Sequence, residues 1–379
     1  YYDFRKNKKK SKDFIFIFVY IFLINKIFTS YLEKIEKSLQ QIIPTQSNSQ
    51  WNKLSFGNIP ECVNNDHLAN LLTPCRNLMD LGGKRWRPLL LVLCYELACQ
   101  SGKKDGLQEN DVYNLTTLVE FVHTASLIHD DIEDGADTRR GKPAAHITYG
   151  LDTALNAASW LYFEAPVCIN QLNTSEEFKN RFYRLYTQEL RRLHLGQAMD
   201  IYWHRNPELI PTPQEYTAMV KSKTGTLASL ATQIGFLAAG CSEEEALQAG
   251  TIAASLGEGF QILDDVINLT KGNPGKKRGD DIVEGKKSLP VLLHLQENPS
   301  DKEQIANCMK KAASEGINSS AVEECISILN KGTCISKAKE QGCKIIEENV
   351  SALANFFGTK DSAPAAKLII DLFTSMIPE

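Results

Sequence analysis

Apolar residues recur at helical spacing along most of this chain. Leu32, Ile35 and Leu39 fall on one face of a helix, because positions three and four apart lie side by side. Ser242 and Glu245 form a capping box ahead of a long run without proline. The same periodicity predicts further helices over residues 112–134, 151–171, 176–203, 214–238, 243–269 and 286–296. Sustained alternation of apolar and polar residues is missing from the sequence, so the pattern predicts an all-α fold.

Proline and glycine interrupt this pattern at Pro143, 211–213 and 271–275. Each interruption is short, so these segments are expected to be loops between helices and not linkers between domains. We therefore predict one large helical domain over residues 31–379. With 43% hydrophobic residues, a chain of this size can bury an extensive core.

Residues 1–30 have a different pattern. A basic run from Lys6 to Lys12 precedes an apolar run from Phe14 to Ile24, which is the order of a signal peptide or membrane anchor. About 11 apolar residues are too few to cross a bilayer, which needs about 20. We expect a tail outside the helical domain, whose roles in targeting and membrane association stay open. A cytoplasmic protein is the main expectation, with an organellar or membrane-associated form as the alternative.

Charge and cysteine usage narrow the function classes. The net charge is −4, whereas nucleic-acid-binding proteins usually carry a basic excess or a basic face. Nucleic acid is therefore not an expected partner. The ten cysteines include no C-x-x-C pair, so neither a zinc site nor a redox motif is indicated. We expect them to be buried free thiols.

Two acidic clusters follow long apolar stretches at the ends of predicted helices. In the first, Asp130 and Asp134 lie one helical turn apart with Asp131 beside them. Carboxylate oxygens suit Mg²⁺, which usually also takes oxygens from a substrate phosphate. The second cluster places Asp264 and Asp265 between Gln261 and Asn268 on another helix. One such cluster alone is more often a solvated helix end, but two facing clusters can clamp a diphosphate through several metals.

Cations occur in short groups near these clusters. Gly82 and Gly83 allow close backbone approach just before Lys84 and Arg87, which can bind phosphate oxygens. Acids at helix C-termini are opposed by the helix macrodipole, so nearby cations are expected on that ground as well. The remaining groups are Arg139-Arg140, Lys223-Thr224, Lys276-Lys277-Arg278 and Lys286. Together with the two acidic clusters, they predict a site for two anionic substrates.

Six motifs in this order resemble those of trans-prenyltransferases, the farnesyl and geranylgeranyl diphosphate synthases. They are G-G-K-x-x-R-P, H-T-x-S-L-I-H-D-D-I-E-D, R-R-G, G-Q-x-x-D, K-T-G and F-Q-I-x-D-D, between about residues 78 and 292. Eukaryotic geranylgeranyl diphosphate synthases are the most similar. The resemblance implies the isoprenoid synthase fold, a helical bundle around a deep central cavity, assembled as a homodimer.

The resemblance also implies the reaction, a Mg²⁺-dependent head-to-tail condensation of isopentenyl diphosphate with dimethylallyl, geranyl or farnesyl diphosphate. Three Mg²⁺ ions would assist departure of pyrophosphate, and the resulting carbocation would be attacked by the isopentenyl alkene. The implied metal ligands are Asp130, Asp131, Asp134, Asp264 and Asp265, and the implied catalytic residues are Asp130, Asp131, Asp134, Asp264 and Lys223. The implied isopentenyl diphosphate site is Gly83, Lys84, Arg87, His123 and Arg140. The implied allylic diphosphate site is Arg139, Lys223, Thr224, Gln261, Lys276 and Lys286.

Product length is expected to depend on residues below the first acidic cluster. Ala125 and Ser126 are small, which leaves the space one turn before Asp130 open. The resemblance implies that three bulkier residues stop the chain deeper down, namely Tyr162, Phe163 and His194. We therefore expect a C20 product, with C15 as an intermediate or second product.

Three other readings compete with this one. A class I terpene cyclase shares the first acidic motif, but it needs no second diphosphate site such as Lys84, Arg87 and Arg140 would form. A regulatory subunit of a prenyl synthase usually lacks an aspartate pair, and both pairs are intact here. A di-metal oxidase bundle needs inward Glu-x-x-His pairs, which the sequence does not offer.

Overall fold

A computed structural model describes residues 26–272 and 277–377, and about 74% of the structure is helical. The first helix, α1, covers residues 26–42. The helices that follow in the first half are α2 Ser49–Phe56, α3 Asn65–Asp80, α4 Trp86–Gln100, α5 Glu109–Leu115, α6 Thr117–Glu133, α7 Ala145–Tyr149, α8 Leu151–Glu164 and α9 Val167–Asn170. Those of the second half are α10 Glu176–Arg205, α11 Pro213–Val220, α12 Thr226–Ala238, α13 Glu243–Thr270, α14 Asp280–Val283, α15 Leu289–Glu297, α16 Lys302–Glu315, α17 Ser320–Leu329, α18 Cys334–Ala354 and α19 Pro364–Thr374.

Helices α12 and α13 lie at the centre of the bundle. Every residue of α12 is buried, because this helix packs between α4 and α13. The other face of α13 packs against α18, while α6 packs against α8. This arrangement puts the C-terminal ends of α6 and α13, which carry the two acidic clusters, at the same end of the bundle.

The all-α expectation is confirmed. One small hairpin is the exception among the described residues, with β1 (Thr138–Arg139) antiparallel to β2 (Lys142–Pro143). It turns the chain directly after the first acidic cluster. The sequence pattern could not reveal it, because two-residue strands are too short to show alternation.

Several predicted helices have different bounds. The segment 112–134 is divided at Thr116 into α5 and α6. The segment 151–171 is divided at Pro166 into α8 and α9, because proline lacks the N–H that a continuing helix needs. The segment 214–238 contains a π-helical stretch, Lys221–Gly225, between α11 and α12. The last predicted helix, 286–296, begins later, at Leu289.

The predicted tail lies mostly outside the described residues, except that 26–30 belong to α1 and not to a separate tail. None of the helices within the described ranges is long and apolar enough to cross a membrane. The expectation of free thiols is confirmed for all ten cysteines. Burial is confirmed for most of them, whereas Cys62 is exposed and Cys99 and Cys343 are only partly buried.

Candidate active site

A cavity of about 530 Å³ opens between the ends of α6 and α13, with α10 and the π-helical stretch along its sides. It brings together most residues that the sequence nominated. Those lining it are Gly83, Lys84, Arg87, His123, Ser126, Asp130, Asp134, Arg139, Arg140, Tyr162, His194, Lys223, Thr224, Gln261, Asp264, Asp265 and Lys286. Asp131, Ala125 and Phe163 do not line it, and Lys276 lies outside the described residues.

The carboxylates of α6 divide between two environments. Asp130 and Asp134 face the cavity, where Asp130 accepts a hydrogen bond of 2.8 Å from Nε2 of Gln197. Asp131 is rotated by about 100° along the helix and is only 1% exposed. Its Oδ1 pairs with Arg139, and its Oδ2 has no hydrogen-bond partner. The prediction that Asp131 faces the metals with Asp130 and Asp134 does not fit this placement, because consecutive helical residues point in different directions.

The second aspartate pair divides in the same way. Both Asp264 and Asp265 border the cavity, but the Asp265 carboxylate accepts hydrogen bonds from Tyr216 Oη at 2.7 Å and Gln261 Nε2 at 3.0 Å. A third, at 3.3 Å, comes from the backbone N–H of Leu289. Burial raises the pKa of Asp265 to about 6, although these donors oppose the shift. Asp265 is therefore held by protein donors, which leaves Asp264 as the better placed of the two for a ligand.

Asn268, the uncharged end of the second motif, is turned away from the cavity. It is fully buried, and its Oδ1 accepts the N–H of Asp281 at 3.3 Å. The backbone oxygen of Asn268 accepts the N–H of Gly279 at 2.9 Å. Asn268 thus anchors the chain that leads into α14, which explains why a charge is not required at this position.

The π-helical stretch places Lys223 in the cavity wall. Its Nζ lies 2.7 Å from Oδ2 of Asp200 and 3.9 Å from Oδ1 of Asp130. A Cβ on Gly196 would lie 2.4 Å from the backbone nitrogen of Lys223, so only glycine lets α10 approach this stretch. Insertions of this kind often mark functional sites in helices.

Sequence reasoning missed two residues that organise this wall. Gln197 donates to both Asp130 and Glu133, and Asp200 pairs with Lys223. Their signal was present, because both belong to the G-Q-x-x-D motif on the interior face of α10. Asp200 is buried, and Lys223 and Lys286 hold its pKa below the usual value against the effect of burial.

A group of cations lies on the opposite side of the cavity, where α4 begins. The Arg87 guanidinium stacks over Trp86, with its carbon 4.5 Å from the ring centroid, and its Nε has no hydrogen-bond partner. Its Nη1 lies 3.4 Å from Nε2 of His123. Burial lowers the pKa of Arg87 to about 10. Burial, followed by repulsion from Arg87 and Arg140, keeps the pKa of His123 well below its usual value.

These contacts define the chemistry that this side of the cavity can perform. Arginine has only donors, so His123 Nε2 must accept from Arg87, and the neutral ring carries its proton on Nδ1. Arg140 donates to the backbone oxygen of Gly82. This bond joins the hairpin to the glycine loop, the turn that contains Gly82 and Gly83 before α4. Arg87 is partly buried and has an unused donor at Nε. Such an arginine next to further cations favours binding of an anion such as a diphosphate.

The lower cavity is lined by rings. The His129 ring stacks on Tyr162 at a centroid distance of 5.4 Å, and the His194 ring meets Tyr162 edge-on at 5.4 Å. His129 was not among the sequence candidates. Phe163 is 78% exposed and Ala125 is buried away from the cavity. The expectation that these two residues line the cavity is wrong for this chain, because their positions on α8 and α6 turn them to other faces.

The sequence profile of polyprenyl synthetases matches residues 69–329, most of the chain. The chain belongs to the polyprenyl synthetase family. The matched region includes the glycine loop, both acidic clusters and the π-helical stretch. The protein is accordingly a prenyltransferase enzyme.

Individual relatives agree with this assignment. The chain is 34% identical to a short chain isoprenyl diphosphate synthase of Methanocaldococcus jannaschii, over 68% of this chain and 76% of the relative. It is 31% identical to a geranylgeranyl pyrophosphate synthase of Gibberella zeae, over 73% and 71% of the two chains. The crystal structure of a geranylgeranyl pyrophosphate synthetase from Pyrococcus horikoshii superposes with a TM-score of 0.74 at 25% identity, over 95% and 99% of the chains.

Proposed function

We propose that this prenyltransferase condenses isopentenyl diphosphate with allylic diphosphates and releases geranylgeranyl diphosphate, with farnesyl diphosphate as an intermediate or second product. One observation carries the proposal, namely that two groups of cations border the same cavity as Asp130 and Asp134. The Lys84–Arg87 side would bind isopentenyl diphosphate. The Lys223–Lys286 side would bind the allylic diphosphate.

The cavity residues fit divalent metal ions. Within the described ranges, no group of three or more His, Cys, Asp or Glu side chains has metal-ligand spacing by itself. Mg²⁺ commonly takes only one or two carboxylates and completes its shell with waters and substrate phosphate. Burial raises the pKa of Asp134, an effect that Lys286 opposes and further positive charge would reduce. We infer that Asp130, Asp134 and Asp264 hold the three expected Mg²⁺ ions together with diphosphate oxygens.

The two remaining aspartates of the motifs would act as positioning residues. Asp131 holds Arg139 at the edge of the allylic side. Asp265 holds Gln261, which in turn accepts a hydrogen bond from Thr224 at 3.0 Å. Both carboxylates thus orient groups proposed to contact the diphosphate.

Ionisation of the allylic substrate is the first step. Bound Mg²⁺ would act as a Lewis acid and neutralise charge on the departing pyrophosphate. Arg139, Lys223 and Lys286 add fixed positive charge where that negative charge develops, which is preorganised electrostatic stabilisation. Lys286 Nζ lies 3.6 Å from Asp134 Oδ2, so the proposed lysine and carboxylate meet at the same diphosphate.

Carbon–carbon bond formation follows. Lys84, Arg87 and Arg140 would hold isopentenyl diphosphate so that its alkene attacks the allylic cation at the ionised carbon. The new tertiary cation then loses a proton to the released pyrophosphate, which restores a double bond. His123 would donate from Nδ1 to the isopentenyl diphosphate and would not act as the base.

The rings of His129, Tyr162 and His194, which we call the ring layer, bear on product length. The tail of the growing chain would extend from the diphosphates past Ser126 towards His129, Tyr162 and His194. Small Ser126 leaves room near the first cluster, and His129, Tyr162 and His194 line the same cavity. We propose a C20 product along this path, to which Phe163 does not contribute within one chain because it is exposed.

A homodimer is the assembly we propose. Large apolar side chains are exposed on three neighbouring helices that flank the cavity, and exposed apolar groups of this kind mark interaction surfaces. They lie on α7, α8 and α10, at Ile147, Leu151, Leu155, Phe163, Leu195 and Tyr202. Pairing with a second copy would bury them.

An assay with radiolabelled isopentenyl diphosphate and C5, C10 or C15 allylic primers tests the function. We expect consumption of both substrates, mainly C20 product, and loss of turnover with a chelator that excess Mg²⁺ reverses. A terpene cyclase would instead convert an allylic diphosphate alone. A regulatory subunit would show no turnover with any primer.

A further inference from the structure

Two arginines have an unusual backbone conformation. Among the residues that the structure describes, the non-glycine residues with positive φ are Arg85, at 46°, and Arg140, at 53°. Side chains with a Cβ rarely adopt this left-handed region, and such strain persists only where the surroundings enforce it. Both arginines lie in the two loops that form the proposed isopentenyl side of the cavity.

Three elements hold Arg85. Its side chain is 3% exposed. Its Nη1 donates to Glu120 of α6 at 2.6 Å, and its Nε donates to Glu36 of α1 at 2.6 Å. Its Nη2 donates to the backbone oxygen of Met79 in α3 at 2.7 Å. Each nitrogen of this guanidinium is therefore engaged by the protein, so Arg85 is not available as a substrate ligand.

This fixed side chain determines where its neighbours point. Arg85 is the residue that precedes α4, with Lys84 directly before it and Arg87 two residues after it, in the first turn of the helix. With Arg85 held inward and its backbone left-handed, both neighbours line the cavity. Glu120 has a further effect: burial lowers the pKa of Arg87 and Arg140, and the negative charge of Glu120 opposes this shift.

We propose that Glu36, Arg85 and Glu120 form a clamp that positions Lys84 and Arg87 for isopentenyl diphosphate. Through Glu36, helix α1 becomes part of substrate recognition although it contributes no residue to the cavity. The clamp rests on the proposed function of that side of the cavity. Arg85 is a positioning residue in this scheme, and its effect is specific to one of the two substrates.

The decisive variant is Glu36→Gln, because Glu36 is the most exposed member of the clamp, with 39% of its side chain exposed. Glutamine keeps the shape and removes the charge. We expect the KM for isopentenyl diphosphate to rise about 5- to 30-fold, which corresponds to about 1–2 kcal/mol. The KM for the allylic primer and the thermal midpoint should stay near wild type.

The matched control is Tyr31→Phe. Tyr31 also joins α1 to α4, through a hydrogen bond of 2.6 Å to Glu96, but it does not touch Arg85. We expect both KM values of this variant to equal those of wild type. A second test is Arg85→Lys, which keeps the charge but loses the simultaneous hydrogen bonds to Glu36, Glu120 and the backbone oxygen of Met79. This variant should raise the KM for isopentenyl diphosphate as Glu36→Gln does.

The results separate the clamp from the underlying function. Turnover by wild type with an unchanged isopentenyl KM in both Glu36→Gln and Arg85→Lys would overturn the clamp alone. Equal increases for both substrates, or the same increase in Tyr31→Phe, would also overturn it, because they indicate general loosening of α1. Failure of wild type to use isopentenyl diphosphate would overturn the proposed function and the clamp with it.

Discussion

Asp130 and Asp131 are neighbours in the sequence but have opposite surroundings. Asp130 faces the cavity beside Gln197 and Lys223, whereas Asp131 is buried against Arg139. The first is placed to bind a ligand and the second to orient an arginine. The difference comes from the rotation of about 100° per helical residue, and it gives the two positions different expected mutant phenotypes.

Substituting these aspartates singly should separate catalysis from stability. Asp130→Asn is expected to reduce kcat by about 10²- to 10³-fold, as for other preorganised charges, with little change in thermal midpoint. Asp131→Asn leaves the Arg139 guanidinium without its charged partner and should lower the free energy of unfolding by about 3 kcal/mol. Steady-state kinetics and chemical denaturation measure the two effects. The same loss of stability in both variants would contradict the division.

Ser126 is the residue at which product length should respond first. Ser126→Phe fills the space beside the first acidic cluster and is expected to shift the main product from C20 to C15. Chromatography of the dephosphorylated products measures the shift. Phe163→Ala is a useful comparison, since its exposed position within one chain predicts an unchanged product. Unaltered product in Ser126→Phe would refute the proposed path of the growing chain.

At the scale of elements, close helix contacts decide the geometry of the site. The π-helical stretch Lys221–Gly225 passes α10 at Gly196 and α13 at Gly257, where a Cβ would lie 2.6 Å from the Cα of Gly225. These glycines carry no chemistry of their own. They let the helices approach closely enough for Lys223 to contact Asp130 and Asp200.

Gly196→Ala tests this contact. The new methyl group would collide with backbone, which cannot move as a side chain can, so we expect a loss of about 1–3 kcal/mol in stability and a lower kcat. Gly332→Ala is the control, because its nearest neighbour would be a side-chain oxygen of Glu297 at 4.0 Å. Wild-type stability and kcat in Gly196→Ala would refute the contact argument.

The contact between α2 and α8 contains a buried acid, Glu164. Its partner is Ser55, whose Oγ donates at 2.6 Å, and burial raises the pKa of Glu164 to about 7. A carboxyl with a raised folded-state pKa stabilises the fold below its unfolded pKa, and this contribution is lost as the pH rises through about 7.

Glu164→Gln should therefore weaken the pH dependence of stability. Between pH 5 and pH 8 the free energy of unfolding of the wild type is expected to fall by about 2–3 kcal/mol because of this site. The uncharged variant should lack this decrease. Thermal unfolding over this pH range measures the difference. Glu177→Gln, at an exposed position of α10, provides the control. An identical pH profile in wild type and Glu164→Gln would contradict the raised pKa.

At the scale of the whole molecule, the apolar faces of α7, α8 and α10 suggest how two copies would meet. Such a dimer would cover residues next to the ring layer of the cavity.

Replacing Phe163 with Asp should weaken the proposed dimer. A charge in an apolar interface costs free energy because it loses its hydration, so the variant should sediment mainly as a monomer at micromolar concentration. Analytical ultracentrifugation measures the change, with Leu54→Asp on α2 as an exposed apolar control. A wild type that sediments as a monomer would refute the homodimer itself.

Sequence alone determined the helical fold, the family and most residues that line the cavity. Helical periodicity is a local property, and motifs such as G-G-K-x-x-R-P and F-Q-I-x-D-D are contiguous, so both can be read from the chain. Rotation along a helix could also have separated Asp130 and Asp134 from Asp131. It could not say which face of α6 meets the cavity.

Only the tertiary structure decided the assignments that depend on contacts between distant residues. It showed that Asp131, Asp265 and Asn268 are engaged by protein groups, that Phe163 is exposed, and that His129 belongs to the ring layer. It also joined Glu36 of the first helix to Arg85. Such contacts depend on how the helices pack, and that packing is a global property that no local pattern encodes.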